Sequence, residues 1–388
     1  MRTAWPQVLT LAFIVGTAGA ACDDPQPPQT PDSPATPGTP TGEVVTAADG
    51  TRFAVDVVAR NLEIPWAMAF APDGRMFLTE RPGRVRVFER GQMLAAPALV
   101  LTDVAAVGEG GLLGIAVHPD FATNHLVFLA YTARLDGGSR ETRVVRYREA
   151  GNTLGEPAVI FSGVGAADIH DGARVRFGPD RKLYVTMGDT ASPPTAQDLG
   201  ALTGKILRLN DDGSVPGDNP IAGSPIFSYG HRNPQGIDWH PVTGEPWGSE
   251  HGQTGNDEIN RLQAGHNYGW PVIEGDQTRA GMETPILFFS PSIAPSGASF
   301  YTGTAIAGFR RDLFVGTLAG QHLLRVRFDP NDPNRIAGTE RLLAGRFGRI
   351  RDVVTGPDGA LYLCTSNRDG RNTPVADDDR LVKLSAVR

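Results

Sequence analysis

Residues 173–189 read ARVRFGPDRKLYVTMGD: a short strand, a tight turn at Gly178-Pro179-Asp180, and a second, more apolar strand. The turn residues have separate jobs. Proline pre-sets its own backbone torsion, and Asp and Gly tolerate the conformations that follow, so such a segment closes a hairpin. The same pattern recurs as WAMAFAPDGRMFLTE from Trp66, LLGIAVHPDFATNHLVFLAYT from Leu112, QGIDWHPVTGEPWGSE from Gln235, AIAGFRRDLFVGT from Ala305 and DVVTGPDGALYLCTS from Asp352. Taking Pro72, Pro119, Pro179, Pro241, Arg311 and Pro357 as markers, the spacings are 47, 60, 62, 70 and 46 residues. Turns of this kind occur in any β-rich protein, but six copies at such spacing are a repeat. Repeats of about 40–50 residues built of short strands form radial blades, none of which buries its apolar faces alone. The sequence therefore predicts an all-β fold, a six-bladed β-propeller.

The composition agrees. The chain has 388 residues, 47 Gly, 31 Pro and 40% hydrophobic residues, with no sustained helical period. Repeat arrays grow by adding units, so one propeller over residues 49–388 accounts for the length without a second domain. The net charge of -7 and the scattering of arginines among carboxylates exclude a basic stripe and hence a nucleic-acid partner.

Residues 1–22 read as an export signal: Arg2, an apolar stretch from Val8 to Val15, then Gly19, Ala20, Ala21 and Cys22. Cys22 followed by a polar tail is the pattern of an acylated lipoprotein cysteine, although Gly19 stands where leucine is usual. Residues 23–48, rich in Pro, Thr, Asp and Gly, read as a tether. The expected location is the periplasm or cell envelope, with the membrane touched only through the lipid. The other cysteine, Cys364, lies in the last blade and reads as a small buried hydrophobe, so no disulfide is expected.

If the first strand of each blade lies at the axis and the turn joins it to the second at one rim, the opposite rim collects the residues before first strands and after second strands. Those are GEGG (108–111), DIHDG (168–172), GHRNPQG (230–236) and GRIR (348–351), with TER (79–81), GDT (188–190), SEHGQTGNDE (249–258) and TSNRDG (365–370). The ionisable and amide side chains are thereby gathered at one channel mouth, on loops carried by a rigid scaffold.

The strings EGGLLGIAVHPDF (109–121), HDGARVRFGPDRKLYVTMGD (170–189), GKILRLNDDGSVPGDNP (204–220), GHRNPQGIDWHP (230–241), SEHGQTGNDEINRLQAGHNYGWP (249–271) and RIRDVVTGPDGALY (349–362) resemble the soluble quinoprotein glucose dehydrogenases and aldose sugar dehydrogenases, from about Leu62 to Leu384. That resemblance, and not the spacing, implies pyrroloquinoline quinone (PQQ) with calcium as cofactors, a small-molecule sugar as substrate and an electron acceptor that it leaves open. It implies His170 as the base that removes the anomeric hydroxyl proton. It implies Arg232, Asn233 and Gln235 against the quinone, with Arg232 polarising the carbonyl where hydride arrives, and Arg349 and Arg351 on the cofactor's carboxylates. For calcium it implies the carbonyls of Gly252 and Gln253, and a second site at Glu258 and the Tyr268 carbonyl. The chemistry is coherent, because imidazole titrates near neutral pH, guanidinium forks fit carboxylates, and calcium prefers oxygen ligands.

Three positions depart from the family pattern: Ala319 replaces a lysine, Ser366 an aspartate, and Glu109 a glutamine near the quinone. His322 and Arg325 are candidates to restore the lost cation. Two other readings stay open on the residues alone. One is a non-catalytic propeller that binds a glycan or protein. The other is a calcium-dependent lactonase, although the four convergent axial ligands it needs are not evident.

Overall fold

The computed structural model describes residues 42–387. The proposed export signal, Cys22 and most of the tether lie outside the described residues.

Six antiparallel sheets follow one another along the chain, each starting at the axis. Blade one begins with Pro65–Phe70 and Met76–Glu80, blade two with Leu112–Val117 and Leu126–Arg134, and blade three with Val175–Phe177 and Leu183–Met187. Blade four begins with Pro234–Trp239 and Pro246–Glu250, blade five with Pro295–Phe300 and Leu313–Thr317, and blade six with Ile350–Thr355 and Leu361–Thr365. The ring closes by exchange of ends. Blade six takes Leu381–Ala386 as its third strand, then Arg52–Ala59 and Glu43–Thr46 from the beginning of the described chain as its outer strands. Register fixes the seam, with Val55 opposite Leu384 and Val45 opposite Phe53. Pairing the two ends in one sheet makes opening the ring cost a whole strand interface.

Two expectations need correction. The tether does not run to residue 48, because Glu43–Thr46 is a strand of blade six. In blade five, AIAGFRR is not the first strand but a connection containing one short 3-10 turn at Ala307–Phe309; the axial strand is PSGASF, Pro295–Phe300. That strand lacks the apolar signature because it passes close to its neighbours. A Cβ on Gly297 would stand 1.8 Å from an Asp352 carboxylate oxygen.

The second strands carry the core. Met76–Glu80, Leu183–Met187, Leu313–Thr317 and Leu361–Thr365 are buried at every position. Apolar clusters run from blade to blade. One joins Phe77, Leu112, Phe128 and Val175 across blades one to three, and another joins Phe53, Phe314, Val353 and Leu384 across blades five and six. Each such side chain contributes about 1.5–3 kcal/mol on burial. Cys364 is fully buried, as expected of a small hydrophobe, and has no disulfide partner among the described residues.

The axis is plugged by charge. Arg174 of blade three stands 3.2 Å from Asp352 of blade six, donates from Nε to the Gln235 carbonyl at 2.9 Å, and lies 4.2 Å over the Trp66 ring of blade one. The other Asp352 oxygen accepts the Met68 amide at 2.9 Å. A buried pair of this kind is costly to break on one side, so it ties four blades at the floor of the channel mouth.

Candidate active site

Above that floor opens a cavity of 310 Å³ whose lining includes Trp66, Glu109, His170, Arg232, Gln235, Gly252, Gln253, Arg349 and Arg351. Eight of the eleven site residues expected from the sequence therefore meet in one space. Asn233, Glu258 and Tyr268 do not line it.

His170 is placed by backbone geometry. Residues His170, Gly172 and Ala173 all have positive φ, folding HDGA into a sharp bend. The bend presses on the MGD segment so closely that a Cβ on Gly188 would stand 1.9 Å from the His170 carbonyl oxygen. Only glycine fits there, and the contact delivers the imidazole to Asp189: Nδ1 lies 2.7 Å from Asp189 Oδ1. Asp189 is fully buried and doubly anchored, accepting the Ala191 amide at 2.9 Å on Oδ1 and the Trp270 indole N–H at 2.8 Å on Oδ2. An ionised carboxylate at Nδ1 makes that nitrogen the donor and leaves Nε2 as the free base, with no protein partner among the described residues. Asp189 lies in GDT, on the rim expected from the sequence, and its role emerges only in the folded site.

Arg232 is held over the Trp270 ring at 5.4 Å and donates to the His251 carbonyl at 3.3 Å, while its backbone N–H is taken by Glu250. Glu250 is braced in turn by His231 at 2.8 Å, whose ring stacks on Tyr268 at 4.8 Å. Trp270 therefore touches both the carboxylate behind His170 and the guanidinium of Arg232. Asn233 works one layer back: its Oδ1 accepts from Gln235 Nε2 at 2.9 Å, and Gln235 Oε1 accepts from Arg351 at 3.3 Å.

Arg349 and Arg351 converge on a residue that sequence reasoning passed over. Asp369 Oδ2 takes Arg349 at 2.9 Å from Nε and 2.8 Å from a terminal nitrogen, and lies 3.7 Å from Arg351. The Ser366 hydroxyl donates to the same oxygen at 3.4 Å. The carboxylate missing at position 366 is thus present three residues later. Burial pushes the Arg351 guanidinium down to about 10.

The other departures resolve similarly. Glu109 accepts the His170 amide at 2.8 Å and pairs with Arg371 at 2.9 Å. Burial alone would raise its pKa, but the His170 amide and the neighbouring cationic groups bring it below the usual carboxylate range. Ala319 lines the cavity where the lysine is lost, yet His322 and Arg325 do not reach it. His322 is engaged by the Gly320 carbonyl at 2.7 Å, and Arg325 by Asp49 and Asp312. The charge is made up by Arg81 and Arg371, so five guanidiniums face three carboxylates: Glu109, Asp171 and Asp369. Burial raises the Asp171 carboxyl to about 6, opposed by bonds from the Ala167 amide and the Thr132 hydroxyl.

The residues fit a quinone bearing several carboxylates. Arg81 Nε, Arg232 Nε, Arg351 Nε and His251 Nε2 are buried polar atoms on the cavity wall without a partner among the described residues, which an acceptor-rich anion would satisfy. Next door, a cavity of 10 Å³, about the size of one small particle, is bounded by Glu250, Gly252, Glu258, Tyr268 and Glu274. There burial and the nearby Glu250 push Glu258 up to about 8, and Glu274 Oε1 is buried without a partner. A cation beside Glu258 and Glu274 would relieve both.

Comparison with known proteins gives the family. The family model for Glucose / Sorbosone dehydrogenase matches residues 62–376. The chain is 36% identical over 346 residues to the aldose sugar dehydrogenase YliI of Escherichia coli (strain K12), covering 83% of this chain and 92% of the relative. It is 28% identical over 414 residues to quinoprotein glucose dehydrogenase B of Acinetobacter calcoaceticus, covering 82% and 86%. The PQQ-bound aldose sugar dehydrogenase of Streptomyces coelicolor superposes with a TM-score of 0.76 at 34% identity, over 86% of this chain and 98% of that one. With the model spanning the propeller from blade one to blade six, the chain belongs to the glucose/sorbosone dehydrogenase family.

Proposed function

We propose that the protein oxidises aldose sugars at the anomeric carbon to the lactone, with PQQ and calcium as cofactors and His170 as general base. The observation that carries this reading is the His170–Asp189 pair at 2.7 Å in a cavity lined by unpartnered cationic donors. His170 Nε2 would take the hydroxyl proton as the anomeric C–H is lost as hydride. Asp189 holds the ring in the accepting tautomer and stabilises the imidazolium that forms. When bound, the quinone supplies the two-electron acceptor.

The remaining assignments concern binding. Arg232, fixed over Trp270, offers a preorganised positive charge where negative charge develops. Gln235, Arg349 and Arg351, with Arg81 and Arg371, would hold the quinone's carboxylates, and Asn233 positions Gln235. Calcium would sit on the carbonyls of Gly252 and Gln253, with a second ion at Glu258 and the Tyr268 carbonyl. Among the described residues no three His, Cys, Asp or Glu side chains are grouped for a metal, so backbone carbonyls have to supply part of either ligand set. A propeller that only binds glycan or protein has no use for a base held by a buried carboxylate. From residues 1–42 we infer an exported, envelope-located enzyme lipidated at Cys22.

The test is reconstitution. Purified protein loaded with PQQ and calcium should reduce a dye acceptor with one or more aldoses and release the lactone. Failure of the protein to bind PQQ at any calcium concentration would overturn the reading.

A further inference from the structure

The opposite rim of the propeller, where the hairpin turns lie, carries a second cavity that the proposed chemistry does not use. It measures 540 Å³ and sits between blades four and five, lined by His240, Arg310, Arg311, Arg327, Phe328 and Pro333 among others.

His240 and His118 occupy the same repeat position, at the start of the turns HPVTG and HPDFA. Each uses Nδ1 as an acceptor for turn amides: Asp120 at 2.9 Å for His118, Val242 and Thr243 at 3.2 Å for His240. The ring proton is thereby assigned to Nε2. Each ring is flanked by two phenylalanines, Phe128 and Phe177 for one, Phe300 and Phe328 for the other. They differ in what Nε2 meets. For His118 it is the carboxylate of Asp211, 3.3 Å away, from the turn after the third strand of blade three. In blade five the third strand ends at Asp329, but that carboxylate is taken by Arg335 and by the Asn331 amide. His240 is 1% exposed, and its Nε2 has no partner among the described residues.

His240 lines the cavity, and the carboxylates that share its wall, Asp49, Asp312 and Asp329, are engaged by Arg325 and Arg335. Of the arginines that line it, Arg325 is saturated by Asp49, Asp312 and Glu340. Arg310, Arg311 and Arg327 have no side-chain hydrogen bond or ion pair among the described residues, and Arg327 Nε is itself buried without a partner. Two buried N–H groups, His240 Nε2 and Arg327 Nε, lack acceptors beside the exposed guanidiniums of Arg310 and Arg311, and a lone buried donor is costly to leave unmet.

The geometry points to a binding site for a small organic anion, carrying carboxylate or phosphate groups, between blades four and five on the turn rim. Its charged group takes the place against His240 Nε2 that Asp211 takes against His118, with the guanidiniums closing around it. Phe328 and Pro333 leave an apolar wall for the carbon part, and the volume is that of a small-molecule pocket. Nothing here depends on the dehydrogenase reading.

Melting temperature is followed while succinate, and separately inorganic phosphate, is titrated at ionic strength held constant with sodium chloride. At least one should give a saturable rise of about 2 °C or more. The rise should be lost, or the apparent affinity weakened at least about tenfold, in the R311Q/R327Q double variant and retained in R349Q at the channel mouth. Absence of any saturable rise overturns the proposal. So does a rise that survives in R311Q/R327Q but disappears in R349Q, which would put the anion in the mouth. Arg311 is exposed, so folding should survive. Should the double variant melt far below wild type without ligand, H240Q replaces it, and unchanged affinity in H240Q overturns the site.

Discussion

Replacing Asp189 by asparagine isolates one negative charge behind the proposed base. The change is nearly isosteric but cannot satisfy the site. Asp189 receives three donors, His170 Nδ1 at 2.7 Å and the Ala191 amide on one oxygen, the Trp270 indole on the other. An asparagine with its oxygen toward His170 confronts the Trp270 N–H with its own NH2. Turned over, it satisfies Trp270 and forces the ring proton onto Nε2, which disables the base. In either orientation the charge that stabilises His170 after it takes a proton is gone. Unit charges at the observed separation interact by about 6 kcal/mol at an effective dielectric of about 20. An amide oxygen retains part of that, leaving a net loss of about 3–5 kcal/mol, or on the order of 10²–10⁴ in kcat. The assay is steady-state dye reduction by the PQQ- and calcium-loaded enzyme, with PQQ titrated separately. The expected result is the loss in kcat with the dissociation constant for PQQ changed by less than about threefold. D189N combined with H170A should be no slower than H170A alone, because the two act as a unit. A loaded D189N enzyme turning over within about threefold of wild type would refute the reasoning.

Other outcomes follow from the same geometry. Chelating calcium should release PQQ and lower the melting temperature, since a ligand bound only by the folded state stabilises it by mass action; unchanged retention and unchanged melting would remove calcium from the account. Arg371→Ala should weaken PQQ binding about tenfold, because it deletes a cation and leaves Glu109 unneutralised; an unchanged titration would show that Arg371 serves only Glu109. Asp171 has its pKa raised from 3.8 to about 6 by burial. The native state therefore holds this proton more tightly than the unfolded chain. Its contribution to stability is complete below pH 3.8 and is lost as pH rises through 6. Denaturant unfolding of D171N should accordingly gain on wild type by about 2 kcal/mol between pH 4 and 7, and a difference flat in pH would contradict the assignment.

The propeller was legible because its hairpins repeat a turn chemistry that survives substitution: proline first, then Asp and Gly. The exception is instructive. In blade five the axial strand PSGASF is small and polar where it passes Asp352, and the apolar pattern begins only at Leu313. The exchange of ends was not legible, since FAVDVVA shows a strand but not which sheet receives it. In the site, His170, Arg232, Arg349 and Arg351 were visible through local motifs. Asp189 was not singled out, although it stands beside a glycine that a Cβ would drive into the His170 backbone. Arg81, Asp369 and Arg371 carry no signal of their own in the sequence, because no single position shows which charges it will meet. Their roles arise from compensation: a carboxylate shifted from position 366 to 369, and cations supplied by other blades. Only the folded mouth shows which charges share a space.

The central claim is that His170 is the base. The direct measurement is the turnover of H170A, reconstituted with PQQ and calcium and supplied with the aldose on which wild type is most active. Turnover lower by a factor on the order of 100–10,000, with PQQ binding nearly intact, is the result this account predicts. Turnover equal to wild type at full PQQ occupancy would contradict it.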